Sequence, residues 1–230
     1  MDSPNSYRVT HLITTRLTQG PSGGDLFDRI TEALRHQGYI IINDVFSTQQ
    51  IQSLFIDIKK TASEGFRQAG IGREQEHQVN PFVRRDRIHW LDMDYPPTRF
   101  YLQWSEKLRK HLNRELFLGL FDYECHYAHF PKNAFYKKHL DAFNGSSNRR
   151  LSTVLYLNPA WQPSDAGELL MYSPDDGTVL QKVTPTFGKM VIFISDELPH
   201  EVSVTNCSRY SLTGWFRVNG TTAVNIDPAA

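Results

Sequence analysis

The 230-residue sequence predicts an α+β fold, mainly β: a double-sheet jelly roll with N-terminal and inserted helices bracing one sheet. From Leu118 onward, short apolar runs are separated by Pro, Gly, Asn and Asp, the texture of an antiparallel sandwich or barrel. Before that point the apolar residues recur at helical spacing in three separate stretches. The length suits one domain with one sizeable core over 25–230, its jelly-roll part at about 118–218.

Taken in order, Met1 to Gly24 is polar and ends in a Gly- and Ser-rich run, which reads as a flexible arm outside the fold. Asp25 opens a helix through His36 with Phe27, Ile30 and Leu34 on one face, and Gly38 stops it before a strand at Tyr39 to Ile42. Ser47 followed by Gln50 is a capping-box pattern, and Ile51, Leu54, Phe55, Ile58 and Ala62 mark the core face of a second helix ending near Gly65. Phe66 to Pro81 has no periodicity, whereas Val83 to Leu91 alternates enough to be a strand. A third helix, Pro97 to Glu115, carries Tyr101, Trp104, Leu108 and Leu112 at packing positions. Eight strands then follow, at about Tyr123 to Phe130, Ala134 to Leu140, Leu151 to Leu157, Glu168 to Tyr172, Val179 to Val183, Met190 to Ile194, Glu201 to Val204 and Tyr210 to Val218.

The 25 basic and 25 acidic residues balance, which argues against nucleic acid or an anionic membrane as the dominant partner. Cys125 and Cys207 stand far apart without a C-x-x-C pattern, so a disulfide framework is not suggested and a reducing compartment fits best. No apolar run approaches a membrane span and the N-terminus does not resemble a signal peptide, so the expectation is a soluble cytoplasmic protein.

The chemistry centres on His139-Leu140-Asp141, because alternation along an extended run puts His139 and Asp141 on one face. Nine His and fifteen Asp in 230 residues supply roughly 0.6 such tripeptides by chance, so the pair needs a partner. His200, opening a late strand, supplies it. Two imidazoles and one carboxylate leave three positions of an octahedral ion open, which suits non-haem Fe(II). Zinc would more usually take a third nitrogen or sulfur ligand. His126 and His129 precede the motif and read as sheet or loop histidines. Arg209 begins an apolar strand, and its planar two-pronged donor set can hold the far carboxylate of a dicarboxylic cosubstrate, tying iron to 2-oxoglutarate.

With these residues in place, His139-x-Asp141, His200, and Arg209 with Thr213 and Trp215 resemble the Fe(II)/2-oxoglutarate-dependent dioxygenases. Within that superfamily the chain most resembles the hypoxia-factor-type prolyl 4-hydroxylases and their bacterial relatives, through Arg85 to Leu91, Leu155 to Trp161, Gly167 to Leu169 and Ser195 to Val202. The resemblance implies His139, Asp141 and His200 as iron ligands, and Arg209, Tyr156, Tyr127 and Thr213 around 2-oxoglutarate. It further implies O2 as the oxidant, ascorbate as the reductant, and release of succinate and CO2 as a substrate C–H is hydroxylated, most readily at the 4-position of a proline in a protein or peptide. It places the substrate lid at Phe66 to Pro81 and offers Arg85, Asp86, Arg87 and Trp90 for peptide contact, with Tyr136 as a pocket wall and Trp215 beside the substrate. A small-molecule hydroxylase on the same scaffold and a non-catalytic binding or sensing module remain as alternatives, because substrate choice lives in loops.

Overall fold

The computed structural model describes residues 25–69, 80–92, 94–142 and 148–220. The expected arm at 1–24 lies outside the described residues, as do residues 70–79 of the expected lid. Three helices come early in the chain: α1 (Leu26–Gln37), α2 (Thr48–Glu64) and α3 (Arg99–Leu116). The capping box expected at Ser47 is present, with Ser47 Oγ accepting from Gln50 N and the Gln50 side chain accepting from Ser47 N. Gly38 ends α1 in the left-handed region at φ 77°, and the chain turns directly into β1 (Tyr39–Ile42). The third helix starts at Arg99 rather than Pro97, because Pro96–Thr98 form a 3-10 turn.

After β1 come β2 (Arg67–Gln68), β3 (Arg87–Trp90), β4 (Leu120–Phe130), β5 (Tyr136–His139), β6 (Arg149–Tyr156), β7 (Leu169–Tyr172), β8 (Val179–Val183), β9 (Met190–Ile194), β10 (His200–Val202) and β11 (Arg209–Val218). They form two antiparallel sheets, one ordered β1-β9-β6-β11-β4-β3-β2 and one ordered β5-β10-β7-β8. The two face each other as a double-stranded β-helix. The expected eight strands are β4 to β11, and β1, β2 and β3 widen the larger sheet at its two edges.

The larger sheet is covered on both faces. Ile30, Leu34, Ile51, Leu54, Ile58, Tyr101, Leu108 and Leu112 of the helices pack with Tyr123, Tyr127, Leu155, Leu212 and Phe216 on one side. The fully buried aliphatic side chains of α2 each contribute about 1.5–3 kcal/mol of burial. On the other side Ala128, Phe130, Val154, Tyr156 and Phe193 face Leu169, Met171, Val183 and Val202 of the smaller sheet. Gly214 of β11 is crowded by its neighbour β4: a Cβ there would fall on Tyr123 Oη, which bonds Tyr101 Oη of α3 and Thr153 Oγ1.

The segment expected as one strand over Val83 to Leu91 divides between the two sheets. Arg84 bridges to Tyr136 of the smaller sheet, with Arg85 N donating to Phe135 O and Lys137 N to Val83 O. Three residues later, Arg87 to Trp90 pair with His129 to His126 of β4 in the larger sheet. This crossing ties together the two sheet edges beside the site described next.

Candidate active site

One cavity between the sheets is lined by His139, Asp141 and His200 at one part and by Arg209, Ser211, Thr213 and Trp215 along β11. The period of two explains the second group: 209, 211, 213 and 215 point between the sheets, while Tyr210, Leu212 and Phe216 point to the helices.

His139 and His200 are register partners across the β5–β10 ladder. Contrary to the expected strand through Leu140, β5 ends at His139 and Asp141 sits in the bend that follows. The carboxylate still meets both rings: Asp141 Oδ1 lies 3.4 Å from His139 Nε2 and Oδ2 lies 3.6 Å from His200 Nε2. One ligand atom from each residue falls within 4.8 Å of the others. His139 Nδ1 donates to Lys137 O at 2.7 Å and His200 Nδ1 donates to Leu198 O at 3.0 Å. A carbonyl can only accept, so both Nε2 lone pairs are left to face the carboxylate, the arrangement that suits a shared cation. Ser152 Oγ donates to Asp141 Oδ2 at 2.6 Å and is itself bonded to Ser195 Oγ at 2.8 Å. Burial works against ionisation of Asp141, yet His200 and His139 hold its carboxyl well below the usual range. Burial and the neighbouring His139 push His200 down to about 4, so it is neutral at physiological pH, as a metal ligand must be.

Arg209 is 2% exposed, and its Nε donates to Gly167 O at 2.9 Å. Its guanidinium lies over Phe130 at 4.9 Å and Tyr156 at 5.0 Å, and among the described residues no carboxylate pairs with it. Burial lowers its pKa, against the pull of Tyr156 and Asp86. Gly167 has φ 67°, and a Cβ there would come within 2.9 Å of the Thr205 side chain and 3.3 Å of Arg209 Cδ, so this turn holds the arginine only as glycine. Tyr156 Oη is buried without a hydrogen-bond partner among the described residues, and burial, opposed by the nearby Arg209 guanidinium, pushes its phenol up to about 12. A buried cation without an acid and an orphaned hydroxyl beside it both fit a carboxylate-bearing ligand.

Asp86, Tyr136 and Trp215 also line the cavity. Arg84, not singled out in the sequence, grips Asp86 with two prongs at 2.8 and 2.6 Å and lies over the Tyr136 ring at 4.3 Å. Asp86 offsets the burial of Arg84, whose pKa is raised. Alternation from Asp86 back to Arg84 was the available signal for that pairing. Arg149, also missed, lies 3.6 Å over Trp215 and donates to Glu124. Trp90 is 49% exposed and packs on His126 and Trp215. The remaining expectations are not brought together with this group. Arg85 is exposed over Phe135, bonding Pro81 O, and Arg87 is exposed opposite His129 on the larger sheet. Tyr127 requires a correction: it is fully buried on the helix side of β4, its Oη donating to Asp57 Oδ2 of α2 at 2.8 Å. The residues of β4 that do line the cavity are its neighbours His126 and Ala128, and Phe130.

The profile of the 2OG-Fe(II) oxygenase superfamily matches residues 125–217, which contain all of β4's cavity face, the His-Asp-His group and Arg209. A prolyl-4-hydroxylase from Pseudomonas putida superimposes with a TM-score of 0.77 at 35% identity, covering 85% of this chain and 100% of that one. The chain belongs to the 2OG-Fe(II) oxygenase superfamily. This oxygenase also shares its fold with a prolyl hydroxylase from Trichoplax adhaerens, at a TM-score of 0.75 and 24% identity over 84% of this chain and 89% of that one. Among curated sequences it is 24% identical to human Egl nine homolog 1 over 196 residues, 81% of this chain and 45% of that protein. The chain spans about half the length of the curated relatives it matches. No described helix of this oxygenase is long and apolar enough to cross a membrane.

Proposed function

We propose that this chain is a dioxygenase that uses Fe(II), 2-oxoglutarate and O2 to hydroxylate a C–H bond, most readily the 4-position of proline in a protein or peptide. The observation that carries the reading is the presence, in one cavity, of three convergent ligand atoms from His139, Asp141 and His200 and of the buried Arg209, with which no carboxylate of the described residues pairs. When bound, iron, 2-oxoglutarate and O2 supply the oxidation, in which decarboxylation of the cosubstrate to succinate and CO2 accompanies transfer of one oxygen atom to the substrate. The chain's part is placement. His139, Asp141 and His200 would hold the ion through one ligand atom each, a set that would leave room for further ligands. Arg209 and Tyr156 take the distal carboxylate, with Thr213 beside them on β11; Tyr127 has no place in this set. Tyr136, Trp215, Asp86 and Trp90 form the walls nearest the substrate, and ascorbate serves as the external reductant.

The proline preference is supported by the prolyl-4-hydroxylase of Pseudomonas putida and by the Trichoplax adhaerens prolyl hydroxylase, solved in complex with a hypoxia inducible factor peptide fragment. The two free cysteines fit a reducing compartment such as the cytoplasm. The test is mass spectrometry of host-lysate proteins incubated with and without the enzyme. A gain of one oxygen on proline is the expected result; 2-oxoglutarate turnover with no such gain overturns the protein substrate while leaving the oxygenase.

A further inference from the structure

Three rings meet where β3, β4 and β11 adjoin, two of them, His126 and Trp215, in the cavity wall. Trp90 and His126 have centroids 5.0 Å apart, His126 and Trp215 5.3 Å, and Trp90 and Trp215 6.2 Å. His126 is 3% exposed and Trp215 6%, whereas Trp90 is half exposed and forms the outer cover of the group. His126 Nδ1 donates to Tyr127 O at 3.2 Å, so Nε2 carries the lone pair, and no described residue donates to it. Burial, with Arg84 next, pushes His126 down to about 3, so the ring is neutral. Trp215 Nε1–H is buried and has no acceptor among the described residues. An acceptor that no described residue engages and a buried donor left unpaired thus sit side by side in the cavity wall without bonding each other, and for the buried indole N–H that state is costly.

We infer that His126 and Trp215 dock the main chain of the substrate. His126 Nε2 accepts the N–H and Trp215 Nε1–H donates to the C=O of one extended residue next to the target proline, Trp90 moving aside to admit it. An extended residue directs its own N–H and C=O to the same side, as a strand does toward its ladder partner. Proline itself has no N–H, so the residue read is a flanking one. The inference rests on the protein or peptide reading above. It assigns His126 and Trp215 as specificity residues rather than as members of the metal group, from which they are separate.

The test uses the chain loaded with 2-oxoglutarate and Zn(II), a diamagnetic stand-in for iron. The probes are Ac-Ala-Ala-Pro-Ala-Ala-NH2 and two analogues with lactic acid replacing the alanine before or after the proline, which exchanges one N–H for an ester oxygen. Binding is followed by the 15N indole resonance of Trp215, assigned by its loss in Trp215→Phe. The all-amide peptide is expected to shift that resonance, and one analogue to bind about tenfold more weakly. In His126→Leu that ester penalty disappears, because the bond is absent with either peptide; in His126→Gln, which keeps an acceptor, it persists. An ester penalty unchanged in His126→Leu, or a bound peptide that leaves the Trp215 indole unmoved, overturns the inference. Failure of the all-amide peptide to bind at all, while 2-oxoglutarate still binds, instead removes the peptide reading on which it rests.

Discussion

Tyr136 lies flat on His139, with ring centroids 3.6 Å apart and planes 18° from parallel, and the Arg84 guanidinium lies over the tyrosine ring at 4.3 Å. The imidazole is therefore held from two directions, by this stack and by the hydrogen bond from Nδ1 to Lys137 O. Removing Tyr136 frees the ring without removing the ligand atom. Tyr136→Ala is expected to weaken Fe(II) affinity by about tenfold, within the range for groups that orient a ligand, while the melting temperature changes little. Anaerobic metal titration measures the first and thermal unfolding the second.

Loss of the ligand itself has a larger consequence. His139→Ala is expected to abolish the visible charge-transfer band of the anaerobic Fe(II)–2-oxoglutarate complex and to lower turnover by about a hundredfold or more, since even orienting partners account for about 10–100-fold. An unchanged band would refute the ligand assignment.

Arg209→Lys keeps the charge and discards the planar fork. The KM for 2-oxoglutarate is expected to rise about tenfold or more, with a smaller change in kcat, because the residue holds the cosubstrate end remote from the metal. Equal losses in kcat and kcat/KM would show that Arg209 acts on the reaction rather than on binding.

Stability should fall on acidification through His126. Burial depresses its folded pKa to about 3, below the unfolded value of roughly 6.5, so the unfolded state binds the extra proton first. The stabilisation is fully present above pH 6.5 and is lost as pH falls toward 3, amounting to about 4 kcal/mol at the lower end. Melting temperatures measured between pH 7 and 4 should therefore decline more steeply for the wild type than for His126→Leu.

Gly214→Ala tests the packing of β11 against β4. A methyl group would collide with Tyr123 Oη and come within 2.8 Å of Glu124 O, the latter a backbone atom that cannot swing away. A loss of about 1–3 kcal/mol in urea unfolding is expected, through overpacking.

Much of the site was legible because its residues carry their chemistry with them. His139, Asp141, His200 and Arg209 are residue types whose pattern means something before any contact is known, and β8 and β9 were bounded by turn residues at both ends. Tyr127 was not legible for a specific reason. Alternation says that 126, 128 and 130 share one face and 125 and 127 the other, but helices cover one face of β4 and the smaller sheet covers the other, so around Tyr127 both faces are buried and carry aromatic or apolar side chains. The signal that could have separated the sides lies upstream, where Asp122 and Glu124 share the parity of His126 while Tyr123 and Cys125 share that of Tyr127.

By itself the sequence determined the double-sheet architecture, the helices that brace it and the four residues with the strongest chemical signature. Only the tertiary structure decided which face of β4 and β11 meets the cavity, and thereby exchanged Tyr127 for His126. It also decided that the chain from Arg84 to Trp90 crosses from one sheet to the other, that Arg84 pairs with Asp86 behind Tyr136, and that Ser152 and Ser195 support Asp141. These relations join residues far apart in the chain, across strands whose pairing is set by the burial of both sheets at once. Local periodicity therefore reaches the strand and stops short of its neighbours.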